Sequence, residues 1–439
     1  MKPALNQGGE SMANEVRRPR VLVVGQGARE HAIVWKLAQS ASRPELYAAP
    51  GNPGMAALAE LVPVAASDHG ALIRFCQDTG IDLVVVGPEQ PLAEGMADAL
   101  AVAGIPVFGP SREAAQLEAS KAFSKRVMEE AGVPTARHRA FSDVEEARAY
   151  VRAQGAPIVV KADGLAAGKG VVVAETVTEA EAALEEMLVR GRFGTSGRRV
   201  VIEEFMQGVE LSLMYFVDAH NAVPMLPARD FKRLLDGDRG PNTGGMGAFS
   251  PVPRVTEDVI DRVTREIVRP TLARLREMGV VYRGVLYAGL MLTDEGPKVV
   301  EFNCRFGDPE TEVVLPLFAG DLFEVMWAVA HDRLDPAMVS WRQDAAVCVV
   351  MASAGYPASS ETGVPIELPG EIPEGVTVFH AGTRFGDGGR LETSGGRVLT
   401  ITAVDQNIPG AIDRAYTAVS SIHFNGAQYR RDIAHNWQS

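Results

Sequence analysis

The sequence predicts an α/β protein built from an N-terminal parallel α/β domain, a small α+β lid, a central α+β domain and a smaller, β-rich C-terminal closing domain. Fully apolar runs that alternate with helical stretches predict the parallel sheet, because strands covered on both faces lose their polar alternation. Two apolar runs joined by a glycine-rich connection predict the lid, and alternating strands and turns fill the last part of the chain. We expect a flexible arm at 1–20 and domains at 21–122, 123–205, 206–340 and 341–439.

The composition is that of a globular protein with several cores. A chain of 439 residues has room for about two to four domains. Hydrophobic residues make up 46% and charged residues 23% of the chain, which excludes a disordered protein. No apolar run approaches the ~18 residues of a membrane span, and the first residues lack the apolar core of a secretory signal.

Charge and cysteine content narrow the functional classes. The net charge of −13 gives a field that repels a phosphate backbone, so we expect neither nucleic acid nor a membrane as partner. The three cysteines, Cys76, Cys304 and Cys348, are too few and too scattered for a disulfide framework or a zinc site. A reduced cytoplasmic location is therefore expected.

The N-terminal strand run leads into a glycine turn. Val21–Val24 is followed by Gly25-Gln26-Gly27 and by a helical stretch from Glu30 to Gln39. Ligands gather at the carboxyl ends of parallel strands, where such turns lie. Glu30 occupies the place of the third glycine in a dinucleotide fingerprint, which weakens an NAD interpretation. A phosphate-binding turn and a purely structural turn both stay open.

The lid is predicted from the runs 158–161 and 171–173 and the glycine-rich connection Gly164–Gly170 between them. The connection is not a P-loop, because its spacing is one residue short and no hydroxyl follows Lys169. It is typical of a hairpin that folds over a polyphosphate, although a mobile surface hairpin has the same composition. Lys161 ends an apolar strand, so it either meets an anion or reaches solvent.

Helices and a hairpin are predicted in the lid and central domains. Capping-box patterns place helix starts at Ser142 and Thr178, each with glutamate three residues later. Apolar residues at helical spacing predict one helix over 257–278. A β-hairpin over 285–302 follows, around an Asp-Glu-Gly turn.

Two acidic segments are candidate ligand contacts. Glu203 and Glu204 follow an apolar strand, where a strand edge and a carboxylate could meet a purine and a ribose; a solvated acidic turn is the alternative. Glu301 and Asn303 share one face of a strand, and a carboxylate beside an amide oxygen suits a hard cation such as Mg²⁺. Arg305 could then face a transferring phosphoryl group.

A glycine-rich loop over 240–247 is preceded by the polar segment Asp230–Arg233. So many permissive residues beside basic ones suggest a loop moulded around a small polar ligand, with a disordered linker as the alternative. The segment Gly307–Glu310 repeats the pattern after Arg305.

Together, these segments resemble the phosphoribosylamine–glycine ligase family of the ATP-grasp ligases, over nearly the whole chain from Val21. The most specific stretches are 87–89, 120–123, 161–170, 241–247 and 301–310, with support from 380–383 and 394–398. The resemblance implies an ATP-grasp fold with a Rossmann-like N-terminal domain. It further implies a monomeric or weakly dimeric enzyme that uses ATP and Mg²⁺ or Mn²⁺ to join glycine to 5-phosphoribosylamine through glycyl phosphate, in purine biosynthesis.

The resemblance also assigns residue roles. Arg305, Lys161 and Asp230 are implied as catalytic, and Glu301 and Asn303 as the metal ligands. The implied ATP-binding residues are Lys121, Lys161, Gly168, Lys169, Gly170, Glu203, Glu204, Phe205, Met206 and Glu210. The implied substrate-binding residues are Gly25, Gly27, Arg29, Glu30, Gly87, Pro88, Glu89, Asn242, Thr243, Gly244, Gly245, Met246, Gly307 and Asp308.

Two positions depart from the family pattern. Phe231 stands where histidine is frequent, so a polar contact near the substrate is in question. The run Val285–Leu292 contains no carboxylate, which leaves two protein ligands for the metal. The rival hypotheses are an NAD-dependent oxidoreductase, resting on the Gly25–Gly27 turn, and a nucleotide-binding sensor without turnover. A biotin-dependent carboxylase is a relative, but the chain has no Met-Lys-Met biotinylation motif.

Overall fold

The computed structural model describes residues 17–166 and 170–438. An N-terminal parallel sheet has the strand order β3–β2–β1–β4–β5. Its strands are β1 (Arg20–Gly25), β2 (Glu45–Pro50), β3 (Glu60–Leu61), β4 (Leu83–Val86) and β5 (Val107–Phe108), with helices α1 (Ala28–Leu37), α2 (His69–Thr79), α3 (Glu89–Glu94) and α4 (Met96–Val102). Leu22 and Val24 enter one hydrophobic core and Val21 and Val23 another, so both faces of β1 are buried, as the apolar run predicts.

The lid is a four-stranded antiparallel sheet in the order β6–β9–β7–β8, preceded by two helices. The elements are α5 (Gln116–Ala119), α6 (Lys121–Glu130), β6 (His138–Phe141), α7 (Val144–Gln154), β7 (Ile158–Ala162), β8 (Val171–Ala174), α8 (Val177–Leu184) and β9 (Val200–Glu204). Val160 and Ile202 pack against Val151 and Leu184 in a separate small core. The predicted pairing of the two strands around the glycine-rich connection is confirmed.

The predicted helix starts in the lid are wrong by one and two residues. Asp143 caps α7 by accepting hydrogen bonds from the N–H groups of Glu145 and Glu146, each at 2.9 Å. Thr176 caps α8 by accepting from the N–H of Glu179 at 3.2 Å. Each stretch contains two competing cap residues, and a capping side chain can serve donors two or three residues ahead, so spacing alone does not fix the start.

The central domain contains an antiparallel sheet in the order β11–β10–β16–β17. The elements in this part of the chain are β10 (Val209–Val217), β11 (Ala222–Pro224), β12 (Arg229–Asp230), β13 (Arg233–Leu235), β14 (Arg239–Asn242), β15 (Gly247–Ser250), α9 (Glu257–Val263), α10 (Arg269–Glu277), β16 (Gly284–Thr293), β17 (Gly296–Asn303), α11 (Thr311–Val314) and α12 (Leu322–Ala330). A π-helical segment, Thr264–Val268, joins α9 to α10, so the single helix predicted over this region forms with one irregular turn.

The C-terminal sheet draws on two parts of the chain. It has the order β12–β15–β18–β22–β19, so β12 and β15 join it from the range predicted for the central domain. The remaining elements are β18 (Ala345–Ala352), β19 (Val376–His380), β20 (Thr383–Phe385), β21 (Leu391–Thr393), β22 (Arg397–Asp405) and α13 (Ile408–Ser420). Long-range pairing of this kind leaves no trace in a local hydrophobic pattern. Within the described residues, no helix is both long and apolar enough to cross a membrane.

Candidate active site

A cavity of about 860 Å³ lies where the N-terminal, lid, central and C-terminal elements meet. Most of the site residues expected from the sequence line this cavity. They are Gly25, Gly27, Arg29, Glu30, Pro88, Glu89, Lys121, Lys161, Gly170, Glu203, Glu204, Phe205, Met206, Glu210, Asp230, Asn242, Thr243, Gly244, Glu301, Asn303, Arg305 and Asp308. Segments more than 250 residues apart in the chain therefore contribute to one concave site, as expected for a small-molecule enzyme.

Six expected site residues are not part of this lining. Gly168 and Lys169 fall outside the described residues. Met246 is fully buried, while Gly87, Gly245 and Gly307 lie behind the cavity wall. A Cβ atom on these three glycines would come within 2.2 Å of Glu30, 2.4 Å of Pro309 and 2.6 Å of Glu310, respectively. These glycines thus permit close packing that shapes the wall.

The Gly25–Glu30 turn is organised by the glutamate that replaces the third glycine. Glu30 accepts hydrogen bonds from the N–H of Gly27 at 2.6 Å and from Nε of Arg29 at 2.6 Å. Its side-chain carbons lie directly under Gly25, which has a φ of +128°, a value that favours glycine. The buried carboxylate of Glu30 holds the turn open toward the cavity. A dinucleotide fingerprint would need a glycine at position 30.

The lid contributes a buried lysine–glutamate pair at one end of the cavity. Nζ of Lys161 lies 2.9 Å from Oε2 of Glu203 and donates to the carbonyl of Val300 at 3.1 Å. Lys161 is only 4% exposed, which removes the surface-lysine alternative. Burial alone would raise the pKa of Glu203, but Lys161 and Lys125 lower it below its usual value. The anionic partner that Lys161 requires is thus a side chain of the same protein.

Two other acidic residues at this end are also paired within the chain. Glu204 binds Arg137 at 2.6 Å, which turns its carboxylate toward the protein surface. Glu210 accepts a hydrogen bond from Nζ of Lys232 at 2.7 Å, and Lys232 lowers the pKa of Glu210. Burial lowers the pKa of Lys121, at the start of α6, although Glu301 acts in the opposite direction.

Glu301 and Asn303 meet the requirements of a divalent cation. Both lie on the cavity side of β17, while Phe302 and Cys304 are buried in the core, as the two-residue period predicts. The described residues supply no hydrogen bond to the Glu301 carboxylate, so its oxygens are available. Gly289 lies opposite Glu301 on β16. Glycine at this position has no side chain that could act as a third ligand. Within the described residues, no group of three His, Cys, Asp or Glu side chains is suited to a metal.

Arg305 is the hub of a buried charge network. Its Nη2 lies 3.0 Å from Oε1 of Glu118, and its Nε lies 3.4 Å from Oε2 of Glu89. It also donates to Oδ1 of Asn303 at 3.3 Å. Burial would raise the pKa of Glu89, but Arg305 and Arg29 lower it to about 2. Burial alone would lower the pKa of Arg305, but Glu118 and Glu89 raise it above its usual value, so the guanidinium stays charged.

The glycine-rich loop over 242–247 is held by an arginine from the C-terminal domain. Nη1 of Arg397 donates to the carbonyl of Gly244 at 2.7 Å and lies 2.9 Å from Oδ1 of Asp308. The hydroxyl of Tyr356 accepts the N–H of Gly244 at 2.9 Å. These contacts join the two predicted substrate loops and make the 242–247 loop part of the packed structure, which excludes a disordered linker.

Asp230 and Phe231 point in opposite directions from β12. Asp230 lines the cavity with Lys232, whose Nζ is 3.8 Å away. Burial raises the pKa of Asp230 to about 7, and Glu310 and Glu210 add to the rise against Lys232. Phe231 is buried beside Phe249, with the guanidinium of Arg430 5.0 Å from its ring. The departure at Phe231 therefore faces the core and removes no contact from the cavity.

Several lining residues were missed by the sequence reasoning. They are Glu118, Lys125, Tyr287, Glu310 and Arg397. Lys125 lies one helical turn beyond Lys121, and Arg397 and Glu310 fall inside stretches that resemble the family, so a signal was available for those three. Glu118 and Tyr287 lie on elements without a chemical motif, and only the three-dimensional arrangement identifies them.

The fold and the site define an ATP-grasp ligase: buried lysines, a carboxylate–amide pair on β17 and an arginine hub converge on one cavity. Three family models match consecutive parts of the chain: the phosphoribosylglycinamide synthetase N domain at 19–118, its ATP-grasp (A) domain at 119–311 and its C domain at 346–436. The chain belongs to the phosphoribosylglycinamide synthetase family. It is an enzyme, an ATP-dependent ligase that uses ATP and a divalent metal ion.

Curated relatives cover nearly the whole chain. It is 47% identical over 414 residues to a phosphoribosylamine–glycine ligase of Rhizobium meliloti, covering 94% of this chain and 97% of the relative. It is 48% identical over 420 residues to that of Vibrio cholerae, covering 95% and 98%. It is also 49% identical over 421 residues to the trifunctional purine biosynthetic protein adenosine-3 of Gallus gallus. The match covers 95% of this chain but only 42% of that protein.

Solved structures show the same architecture. The phosphoribosylamine–glycine ligase of Thermotoga maritima superimposes with a TM-score of 0.84 at 36% identity, covering 94% of this chain and all of the other. The biotin carboxylase domain of the Hydrogenobacter thermophilus 2-oxoglutarate carboxylase, solved with MgADP, gives a TM-score of 0.71 at 17% identity, covering 93% and 91%. The second likeness is one of fold alone.

Proposed function

We propose that this ligase joins glycine to 5-phosphoribosylamine at the expense of ATP, giving glycinamide ribonucleotide, ADP and phosphate in de novo purine biosynthesis. The observation that carries the proposal is the single cavity, in which the lid lysines, the Glu301–Asn303 pair and the Arg305 network face the 242–247 loop. Three reactants can meet only if their sites adjoin in this way. The near-complete coverage of phosphoribosylamine–glycine ligases supports the choice of substrates.

ATP would occupy the lid end of the cavity. Lys121 and Lys161 would bind its phosphates. The segment Glu203–Met206 would hold adenine, largely through its backbone, because Glu204 is paired with Arg137 and one oxygen of Glu203 with Lys161. Glu210 would reach the ribose hydroxyls after exchanging part of its contact with Lys232.

Glu301 and Asn303 would hold the divalent ion, for which carboxylate and amide oxygens are suited; Asn303 would give up its contact with Arg305 to do so. Mg²⁺ bound there, or Mn²⁺ in its place, supplies charge neutralisation on the β- and γ-phosphates. Two protein ligands leave the remaining positions to water and phosphate oxygens, which is how Mg²⁺ is usually bound in phosphoryl-transfer enzymes.

The reaction would proceed in two steps through glycyl phosphate. The glycine carboxylate attacks the γ-phosphorus of ATP and ADP leaves; the amine of 5-phosphoribosylamine then attacks the acyl carbon and phosphate leaves. Positioning and charge neutralisation dominate such transfers. Lys161 and Arg305 would face the transferring group, and Asp230 could take the proton that the amine loses, because its pKa of about 7 suits a base at neutral pH.

The phosphoribosylamine would lie at the carboxyl ends of the N-terminal strands. Gly25, Gly27 and Arg29 of the first turn face Pro88 and Glu89 of the second across this part of the cavity. Asn242–Gly244 and Asp308 would enclose the acyl phosphate between the two substrates. Closure of the lid would exclude water, which otherwise hydrolyses an acyl phosphate.

We also propose a cytoplasmic enzyme that acts as a monomer or weak homodimer and whose functional domains divide near residues 122, 205 and 340. The three cysteines are free and buried, which suits a reducing compartment.

The deciding experiment measures ADP release with Mg·ATP and glycine, with and without freshly generated 5-phosphoribosylamine. We expect release to require both substrates. If alanine or another amino acid replaced glycine equally well, the substrate assignment would be wrong while the ATP chemistry stood. ATP binding without ADP release under any condition would contradict the ligase function.

A further inference from the structure

A second buried lysine lies behind the nucleotide end of the cavity. Lys125 follows Lys121 by one turn of α6 and is 3% exposed. Its Nζ lies 3.2 Å from Oε2 of Glu203 and donates to Oγ1 of Thr135 at 2.8 Å. Thr135 in turn donates to the carbonyl of Val299 on β17 at 2.7 Å. Lys125 is thus fixed by two partners, Glu203 on β9 and Thr135, which is itself bound to β17.

Lys125 and Lys161 share one oxygen of Glu203. Both ammonium groups lie within 3.2 Å of Oε2, so two positive charges and one negative charge stand together in a region nearly closed to water. The other oxygen, Oε1, is buried and has no hydrogen-bond partner in the part of the chain that the structure describes, and Glu203 lines the cavity. A buried oxygen that lacks a hydrogen-bond donor within the protein can accept a hydrogen bond from a bound molecule.

These three residues join the lid to the body of the protein. Glu203 and Lys161 stand at the ends of β9 and β7 in the lid sheet, whereas Lys125 lies on α6 outside that sheet. Lys161 also donates to the carbonyl of Val300, next to the Val299 carbonyl that Thr135 binds. Lys125 therefore links β9, through Glu203, to Thr135 beside β17, which carries Glu301 and Asn303.

We propose that Lys125 is a positioning residue for ATP. By sharing the charge of Glu203, it keeps Oε1 of Glu203 directed at the base pocket and leaves Lys161 free to bind a phosphate. Without Lys125, Lys161 would be the sole counterion of Glu203, and the two side chains would bind each other instead of the nucleotide. The proposal rests on the proposed function only for the identity of the nucleotide.

The test compares Lys125→Met with wild type in Mg·ATP binding by calorimetry and in the KM of each substrate. We expect the Kd and KM for ATP to rise by about ten- to a hundredfold, as for other residues that orient a ligand-binding side chain. The KM for glycine should stay within about twofold, because that part of the cavity is untouched. Lys125→Arg should recover part of the loss. Arg126→Met is the matched control, since Arg126 is a basic residue on the same helix but exposed.

A double-mutant cycle with Glu203→Gln separates positioning from general damage. If Lys125 acts through Glu203, adding Lys125→Met to Glu203→Gln should change ATP affinity by less than about twofold. This comparison also serves if Lys125→Met alone does not fold. An unchanged ATP affinity in Lys125→Met, an equal rise in all three KM values, or a full further loss in the double variant would each overturn the proposal. Calorimetry with Mg·ATP needs no turnover, so failure of the proposed ligation would appear separately.

Discussion

Three buried glutamates show how surroundings decide the role of a side chain. Glu203 is shared by two ammonium groups, and Glu118 accepts the N–H of Cys304 at 2.7 Å while pairing with Arg305. Glu312 is fully buried, yet both of its carboxylate oxygens lack a hydrogen-bond partner among the described residues. Glu203 and Glu118 orient cationic groups at the active site, whereas the buried, unpartnered carboxyl of Glu312 lowers the stability of the folded protein.

Glu312→Gln is expected to stabilise the protein most at high pH. Burial, and then Asp308, raises the pKa of Glu312 well above its usual 4.5. Below pH 4.5, the usual pKa, the Glu312 carboxyl is protonated in both the folded and the unfolded chain. At higher pH only the unfolded chain releases the proton readily, so the free-energy cost of keeping Glu312 buried grows as pH rises. Urea unfolding should show a gain of ~1–3 kcal/mol at pH 8 and a smaller one at pH 5. An equal effect at both pH values would contradict this account.

Glu301→Gln is expected to lower kcat/KM by ~10²–10³, because one of the two proposed protein ligands of the divalent ion loses its charge. Thermal stability should hardly change, since no described donor binds the Glu301 carboxylate. Steady-state ADP release over a range of Mg²⁺ concentrations measures the effect. Glu295→Gln is the control on the same hairpin, where the carboxylate is 78% exposed. Near-normal turnover in Glu301→Gln would remove Glu301 from the site.

Single residues were predictable where a local motif carries the chemistry. Glu301 and Asn303 follow from the alternation along one strand and Arg305 from its place just after them, and the cavity contains all three. Glu118 and the unpartnered state of Glu312 depend on which segments pack together. No pattern within a few residues of either position contains that information.

At the scale of elements, helix α1 and strand β19 meet through two histidines. The N–H of His380 donates to Nδ1 of His31 at 2.8 Å, and both rings are buried. Asn52 fixes the contact by donating to the carbonyls of Gln26 and His380 at 2.9 and 2.8 Å. The arrangement requires a neutral His31, because a protonated Nδ1 could not accept the hydrogen bond.

Stability is therefore expected to fall as pH drops below 6.5. Burial lowers the pKa of His31 to about 3 and that of His380 to about 4. Above 6.5 both rings are neutral whether or not the chain is folded; below it, only the unfolded chain takes up the protons. Each histidine contributes a slope of up to about 1.4 kcal/mol per pH unit.

His31→Asn should reduce this slope between pH 6.5 and 5, because asparagine keeps an acceptor but does not titrate. Urea unfolding at several pH values in that window measures the slope. His220→Asn is the control, since His220 is exposed. If His31→Asn and His220→Asn gave the same slope as wild type, the buried contact would not be the cause.

The existence of strands was easier to predict than their partners. The apolar runs at β1, β7 and β18 identify strands, because their burial leaves little room for polar residues. The helix starts at Asp143 and Thr176 were misplaced, since neighbouring polar residues compete for the same donors. The pairing of β15 with β18 joins residues about a hundred positions apart, and nothing in either strand specifies the other.

At the scale of the whole molecule, Arg397 connects the C-terminal domain to the reaction site. It binds Gly244 and Asp308 at once, which locks the two substrate loops together. Burial alone would lower the pKa of Arg397, but Asp308 raises it above its usual value, so the charge persists. The closing domain therefore contributes directly to the wall of the cavity.

Arg397→Met is expected to raise the KM for glycine and for 5-phosphoribosylamine by about tenfold or more, because misplaced loops lose their alignment with the substrates. The KM for ATP should change by less than about twofold, since the lid end of the cavity is remote from Arg397. Initial-rate kinetics with each substrate varied in turn provide the measurement. Arg414→Met, which removes an arginine whose side chain is 49% exposed, is the control. A uniform rise in all three KM values would instead indicate general loosening.

The sheet shared by β12, β15 and β18 has a consequence for protein engineering. The border between the central and C-terminal domains runs along a hydrogen-bonded strand edge, with Ala248 opposite Cys348. Removing residues 345–438 would expose that edge to pairing with other chains, which promotes aggregation. A chimera that exchanges C-terminal domains between relatives must preserve the register, because both faces of β18 are buried and a slip of one residue would move the side chains of each face into the core on the other side. Chimeras of this enzyme should therefore exchange whole β-sheets and not segments that are contiguous only in the sequence.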